Sequence, residues 1–262
     1  MAKRASWAKF PHADKAYVYD GAALKKAWAR LHKGDCEPFP KDAAAEEAWR
    51  LFHAGDFEAA VATGLAAGDA GMTAANKAAC IYATYLERSD SAKLAIFEEV
   101  AQRCEAMIKA QPKNANAHYL LAYALGRYSQ GISVTKALAQ GLGGKIKDAL
   151  AQALKLQPSH ADAHIASGTY HAEIIDKVGG LVGGLTYGAK KETGVEHFEK
   201  ALKLNPDSAI ARVEYANGLV MMFGKAKMKE AERLYDEAAK VKPADAMERL
   251  DVELARAEIA ED

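Results

Sequence analysis

The sequence predicts an all-α solenoid of stacked helix pairs, and three observations carry that prediction. Four segments end alike: AMIKAQP at residues 106–112, ALKLQP at 153–158, ALKLNP at 201–206 and AAKVKP at 238–243. Each tail is followed within a few residues by a new Ala-rich stretch of helical period. No alternating apolar–polar run of useful length interrupts the series, so no sheet is expected. A recurring helix end marks units that bury their apolar faces only against their neighbours, an arrangement that suits a binding scaffold better than an enzyme.

The elements follow in order. Residues 1–40 hold Pro11, Pro38 and Pro40 around one helix at 22–32 and read as an extension packed on the array; residues 41–262 read as the repeat domain. The first pair spans 43–53 and 57–67, with Gly55 stopping the first helix and Asp56 capping the second. The second pair spans 73–88 and 91–109, with Ser89 or Asp90 as cap. Later pairs begin at Asn114, His160 and Asp207, each just after a proline that cannot continue the preceding helix. The stretch 244–259 carries Met247, Leu250, Val252, Leu254 and Ile259 among many charges, as a polar-backed capping helix requires.

Composition narrows the function. Thirty-five basic residues balance 35 acidic ones, so no overall field draws nucleic acid or an anionic membrane. Cys36, Cys80 and Cys104 are odd in number and lack CxxC spacing, which indicates neither a disulfide framework nor a zinc site. The start lacks the apolar stretch of a secretory signal, and no 18-residue apolar run suggests a membrane span. The expected setting is the cytoplasm.

The chain resembles tetratricopeptide repeat proteins. Tyr215, Ala216 and Leu219, then Ala231, Tyr235 and Ala238, stand where that family packs its core in the last unit. Ala48, Leu51 and GDFEAA, ending at Ala60, match in the first. The prolines at 112, 158, 206 and 243 are 46, 48 and 37 residues apart, against about 34 in the ordinary unit. Two units therefore carry inserts: SVTKALAQGLGG at 133–144 and DKVGGLVGGLTYGAKKE at 176–192. Extended units with Gly-rich inserts across about 90–255 are similar to relatives of the regulators of microtubule dynamics and, more distantly, to the repeat component of tripartite transporters. Neither family supplies a catalytic set. The repeat resemblance implies a concave face made by Asn116, Tyr119, Tyr123 and Arg127, then Asp162, Thr169 and Glu173, then Asn217. Val213 stands where clamping a peptide carboxylate would need lysine.

The remaining motifs are weaker. Gly143-Gly144-Lys145 resembles the end of a phosphate loop, but Ala139 and Ile146 replace the glycine and hydroxyl that such a loop needs. The glycines at 179, 180, 183 and 184 form a small-residue stripe that lets another backbone approach. They point to an insert folded over the groove or onto its counterpart, with Leu142, Gly180, Leu181, Val182, Gly184, Leu185 and Tyr187 lining a pocket or lid. His164 and His171 share a helix face, but His164 and His118 fall at one point of successive repeats and His160 reads as a cap, so structural roles outweigh metal binding. No metal and no cofactor are expected. An enzyme would need His171, Glu173 and Asp176 to converge in a buried cleft. The leading expectation is a non-enzymatic scaffold recognising a protein segment or peptide in its groove, with a homo-oligomer also compatible. Its alternative is a carrier of a small apolar or amphipathic ligand beneath the inserts; a closed pocket lined by Leu142, Leu181, Val182, Leu185 and Tyr187 would favour the carrier and an open groove the peptide.

Overall fold

The computed structural model describes residues 6–261, and every regular element among them is helical. After a 3-10 turn at Lys15–Tyr17, α1 (Gly21–Leu31) precedes five helix pairs. These are α2 (Ala43–Ala54) with α3 (Phe57–Ala66), α4 (Met72–Tyr85) with α5 (Asp90–Ala110), and α6 (Ala115–Gln130) with α8 (Leu142–Leu156), the short α7 (Val134–Ala139) lying between. Next come α9 (Ala161–Val178) with α11 (Lys191–Leu204), separated by the one-turn α10 (Gly180–Val182), and α12 (Ala209–Phe223) with α13 (Met228–Ala239). Helix α14 (Ala246–Glu261) ends the array. The first helices α2, α4, α6, α9 and α12 pack on one another as an inner layer, and each second helix also touches the next unit.

The repeated prolines have a shared consequence. Two residues beyond each one a side chain caps the next helix: Asn114 accepts from the Ala117 N–H, His160 from Ala163, Ser208 from Ala211 and Asp245 from Glu248. Capping of this kind satisfies a donor that the helix cannot. The third cap is therefore Ser208, where the sequence pointed to Asp207. His118 and His164 also repeat a contact, approaching the carbonyls of Pro112 and Pro158 at 3.0 and 3.1 Å. Gly55, at φ +87°, ends α2 in the left-handed region, where a side chain would be strained.

Two expectations are corrected, the end of α4 and the burial of Tyr235. Helix α4 stops at Tyr85 rather than 88. The inserts are largely helical: α7 fills part of the first, Gly143 and Gly144 lie in the opening turn of α8, and a π-helical turn at Gly183–Tyr187 follows α10. In α13 it is Leu234 that is buried, while Tyr235 is half-buried and donates its hydroxyl to Asn217.

Core packing in the last units centres on Phe198 of α11, fully buried and stacked on Tyr215 at 5.1 Å. Gly168 of α9 and Gly218 of α12 abut its ring; a Cβ at either would fall within 2.9 Å of ring carbons. At the other end α4 is buried continuously from Thr73 to Ala83, with neighbours on all sides. Tyr17, Leu24, Trp28 and Leu31 join Trp49 and Phe52 in the largest core, so the segment before the repeats is built into that core.

The array curls until its end meets its beginning. Helix α14 packs on α12 and α13 and also reaches α2. Arg30 grips Glu248 with two bonds of 2.5 and 3.0 Å, Tyr19 donates to the Ala244 carbonyl at 2.8 Å, and Tyr85 donates to Asp251. A buried chain joins the same parts: Asp35 Oδ1 to His32 Nδ1 at 2.9 Å, His32 Nε2 to His53 Nε2 at 3.2 Å, and His53 Nδ1 to Asp245 Oδ2 at 2.7 Å. With both Nδ1 atoms donating to carboxylates, the facing Nε2 atoms can bond only when one proton sits between them. The expected capping helix is thus also a clasp across the concave face.

A candidate binding cavity on the concave face

Clasping by α14 turns the concave face into a cavity of about 200 Å³. Its position follows from helical period: Tyr119, Tyr123 and Arg127 recur every four residues along α6, Asp162, Thr169 and Glu173 come from α9, and Lys77 and Tyr85 from α4. Glu214 of α12 and Glu248 and Asp251 of α14 complete the polar side. Leu142, Ile146 and Leu150 of α8, with Tyr170 and Ala122, form one buried apolar cluster in the lining, against which Tyr187 packs. The half-exposed Val134 and Leu138 of the first insert stand at the edge.

The charges are mostly matched. Arg127 donates to Glu214 at 2.8 Å, Thr169 donates to the other Glu214 oxygen at 3.1 Å, and the Arg127 guanidinium lies 5.4 Å from the centre of the Tyr123 ring. Burial works against the Arg127 charge, but Glu214 together with Tyr123 and Tyr85 outweighs it and holds the guanidinium protonated. Lys77 donates to Asp35 and reaches Asp162 at 3.9 Å. Burial of the Lys77 ammonium is likewise outweighed, here by Asp35 and Asp162, which raise its pKa well above the usual lysine range so that it stays charged. Burial pushes Tyr119 and Tyr123 up, and burial with the Asp251 carboxylate does the same for Tyr85. These phenols are donors, not bases.

Six of the eight groove residues meet in this cavity: Tyr119, Tyr123, Arg127, Asp162, Thr169 and Glu173. Asn116 is buried beside it in a structural knot, its amide nitrogen donating to the Asp35 carbonyl at 3.1 Å and to Glu37 at 2.6 Å, while its oxygen faces His160 at 2.9 Å. Burial raises Glu37 to about 8 there. Asn217 is turned toward α13, where Tyr235 takes it. Among the insert residues, Leu142 and Tyr187 line the cavity. Leu181, Val182 and Leu185 are instead 78%, 51% and 82% exposed, because the one-turn α10 and the following π-turn carry them outward. Close packing through Gly180 and Gly184 is also overturned: a Cβ at 180 would meet nothing within 4 Å, and one at 184 only the Ala189 carbonyl at 3.6 Å. The tight contact lies at Gly143, where a Cβ would come within 2.8 Å of the Tyr187 ring, so the second insert rests on the helix that follows the first.

Lys77, Tyr85, Glu214, Glu248 and Asp251 were missed by sequence reasoning. For Lys77 a signal existed, since a lone lysine in the small-residue run TAANKAAC sits on a helix that is apolar or small on every face. Glu248 and Asp251 gave none, because α14 reaches the concave face only through curvature of the whole array.

The histidines of α9 do not converge with the cavity acids. His164 meets His197 at 2.9 Å between Nδ1 atoms, and His171 accepts from the Lys190 N–H at 3.1 Å on the outer side, whereas Glu173 pairs with Lys177 at the cavity. Burial lowers His164 and His171 and takes His197 to about 4. Among the described residues no three His, Cys, Asp or Glu side chains are placed to hold a metal ion, and no helix is long and apolar enough to cross a membrane. Burial raises the thiols of Cys80 and Cys104, which makes them unreactive.

Comparison with known proteins agrees with this architecture. No individually curated protein matches the chain significantly. Among solved structures it is similar to a thermophilic tetratricopeptide repeat protein of Thermus thermophilus, with a TM-score of 0.57 and 16% identity over 82% of this chain and 97% of that one. That likeness establishes the repeat fold. The model of the family described as Regulator of microtubule dynamics protein 1-3 matches residues 69–258, a stretch that runs from α4 through most of α14 and takes in both inserts and the clasp. The chain belongs to the regulator of microtubule dynamics protein 1-3 family.

Proposed function

We propose that this chain is a non-enzymatic, cytoplasmic binding scaffold that takes a short protein segment into the clasped concave cavity. One observation carries the reading: α14 crosses the groove and leaves a space lined both by an apolar cluster and by mostly matched charges with three tyrosines. At about 200 Å³ it is smaller than the ~300–1,000 Å³ of ordinary ligand pockets. It fits one or two side chains of a segment rather than a whole helix. The apolar wall of Leu142, Ile146, Leu150 and Tyr170 supports a second reading, a carrier of a small amphipathic ligand held beneath the inserts. The free thiols Cys36, Cys80 and Cys104 suit a reducing compartment.

Gly126 provides the test. It lines the cavity and a Cβ there meets nothing within 4 Å, so Gly126→Trp should carry an indole into the space from a Cβ that is itself clear, with folding of the variant checked by circular dichroism. Peptides selected from a random library against the wild type should lose at least about tenfold in affinity for the plugged variant, equivalent to ~1.4 kcal/mol. Undiminished binding would move the site elsewhere. Under the second reading, native mass spectrometry of the purified protein should find a small-molecule adduct that Gly126→Trp lacks.

A further inference from the structure

We propose that the end of the cavity between α4, α9 and α14 is a cation subsite, which takes an ammonium or guanidinium group carried by an apolar body lying along the α8 wall. The proposal rests on the reading that the concave cavity binds a ligand, and it names the chemistry of that ligand. Six carboxylates line the cavity (Asp35, Asp162, Glu173, Glu214, Glu248 and Asp251) against three cations, Lys77, Arg127 and Lys177. Pairing accounts for four of the six: Asp35 with Lys77, Glu214 with Arg127, Glu173 with Lys177, and Glu248 with Arg30, which reaches it from outside. Asp162 and Asp251 are left over.

Neither has an adequate partner among the described residues. The Asp162 carboxylate receives no hydrogen bond from them, and its nearest cation is Lys77, 3.9 Å away and already bonded to Asp35. Asp251 is 3% exposed and accepts one bond, from the neutral Tyr85 hydroxyl. The two are close enough for the charge of Asp162 to act on Asp251. A separate observation points the same way. Asn205 lines the same cavity, is 7% exposed, and its Oδ1 has no hydrogen-bond donor among the described residues, so a further acceptor waits for an N–H. Tyr85, Tyr119 and Tyr123 also line the cavity, and aromatic faces favour cations. Buried carboxylates must be paired or protonated, and a cationic ligand is the partner that this excess of acceptors would recognise.

Without a cation the two acids hold their protons more readily than ordinary carboxyls. Burial raises Asp162 to about 6 and Asp251 well above the usual carboxylate range. The charged groups facing Asp162 are Lys77 of α4, Asp35 of the segment after α1, and Glu248 of α14. Below about pH 6 a cation must displace the proton of Asp162, so its affinity falls as pH drops through that value.

The test uses matched probes on the full chain by calorimetry at about pH 7.5, where Asp162 is ionised. One series is n-octylammonium, n-octanol and octanoate; the other is a pair of end-blocked leucine peptides with a central lysine or norleucine. The expected result is a preference of at least about tenfold for the cationic member of one series, and that series identifies the source as a free amine or a basic peptide side chain. Asp162→Asn and Asp251→Asn should each remove most of the preference and leave neutral probes unaffected, with helicity checked by circular dichroism. On the wild type alone, the cationic probe should weaken about tenfold between pH 7.5 and 5. Neutral or anionic probes binding as tightly, or a preference that survives both substitutions or the acid shift, would overturn the subsite while leaving cavity binding intact. No binding by any probe would overturn both.

Discussion

Replacing Gly218 by alanine should fail to stabilise the last repeats even though it improves helix propensity. Alanine at a helix-interior glycine contributes about 0.8–1.0 kcal/mol. Against that gain, a Cβ at 218 would lie 2.6 Å from Phe198 Cε2 and 2.9 Å from Cζ. The ring has no retreat: Tyr215 is stacked on it at 16° between planes, and the Cβ position of Gly168 is already within 2.8 Å of three ring carbons. Overpacking of a full core costs about 1–3 kcal/mol, so Gly218→Ala should come out neutral to about 2 kcal/mol destabilising. Gly126→Ala supplies the reference, because its Cβ has open space and only the propensity gain remains. Urea unfolding followed by circular dichroism should separate the two variants by about 1–3 kcal/mol. Phe198→Ala alone should cost about 3–5 kcal/mol, and in its background Gly218→Ala should become harmless, a coupling of about 1–3 kcal/mol in a double-mutant cycle. If Gly218→Ala stabilises the wild type as much as Gly126→Ala does, the argument for a confined ring is wrong.

Three further outcomes are expected. Gly180→Ala with Gly184→Ala should leave thermal stability unchanged or raise it slightly, by up to about 1 kcal/mol through the unfolded chain; a clear loss would mean that the second insert packs more closely than the structure has it. Arg30→Ala should leave Glu248 without its cation and loosen the clasp by about 1–3 kcal/mol, read as faster amide hydrogen exchange in α14 with α5 unchanged; uniform exchange would deny α14 a separate opening. His160 is held at about 4 by burial, so between about pH 6.5 and 4 the unfolded chain takes up a proton that the folded one refuses, and stability falls on acidification by up to ~3 kcal/mol. His160→Asn keeps a capping side chain but lacks this proton, so its deficit at neutral pH should shrink toward pH 4; a pH-independent deficit contradicts a neutral, buried His160.

Local chemistry was legible in the sequence because it acts over a few residues. Proline ends a helix wherever it stands, so the four tails marked the repeats, and Asn114 and His160 could be read as helix starts from their place after a proline. Helical period also placed Tyr119, Tyr123 and Arg127 on one face of α6, which is a property of α6 alone. The inserts were less legible: glycine permits many conformations, so the sequence could not decide whether Gly180 and Gly184 pack against backbone or stand free, nor that Leu181 and Leu185 point to solvent.

Long-range pairing belongs to the tertiary structure. Asp245 and His53 are 192 positions apart, and Tyr85 and Asp251 are 166 apart. They meet only because small rotations between successive helix pairs accumulate over the array until α14 reaches α2. No single repeat encodes that curvature. The sequence by itself determined a helical repeat scaffold with two inserts and the face of each inner helix; tertiary packing decided that this face closes into a cavity, that Asp162 there shares Lys77 with Asp35, and that Asp251 meets only the Tyr85 hydroxyl among the described residues.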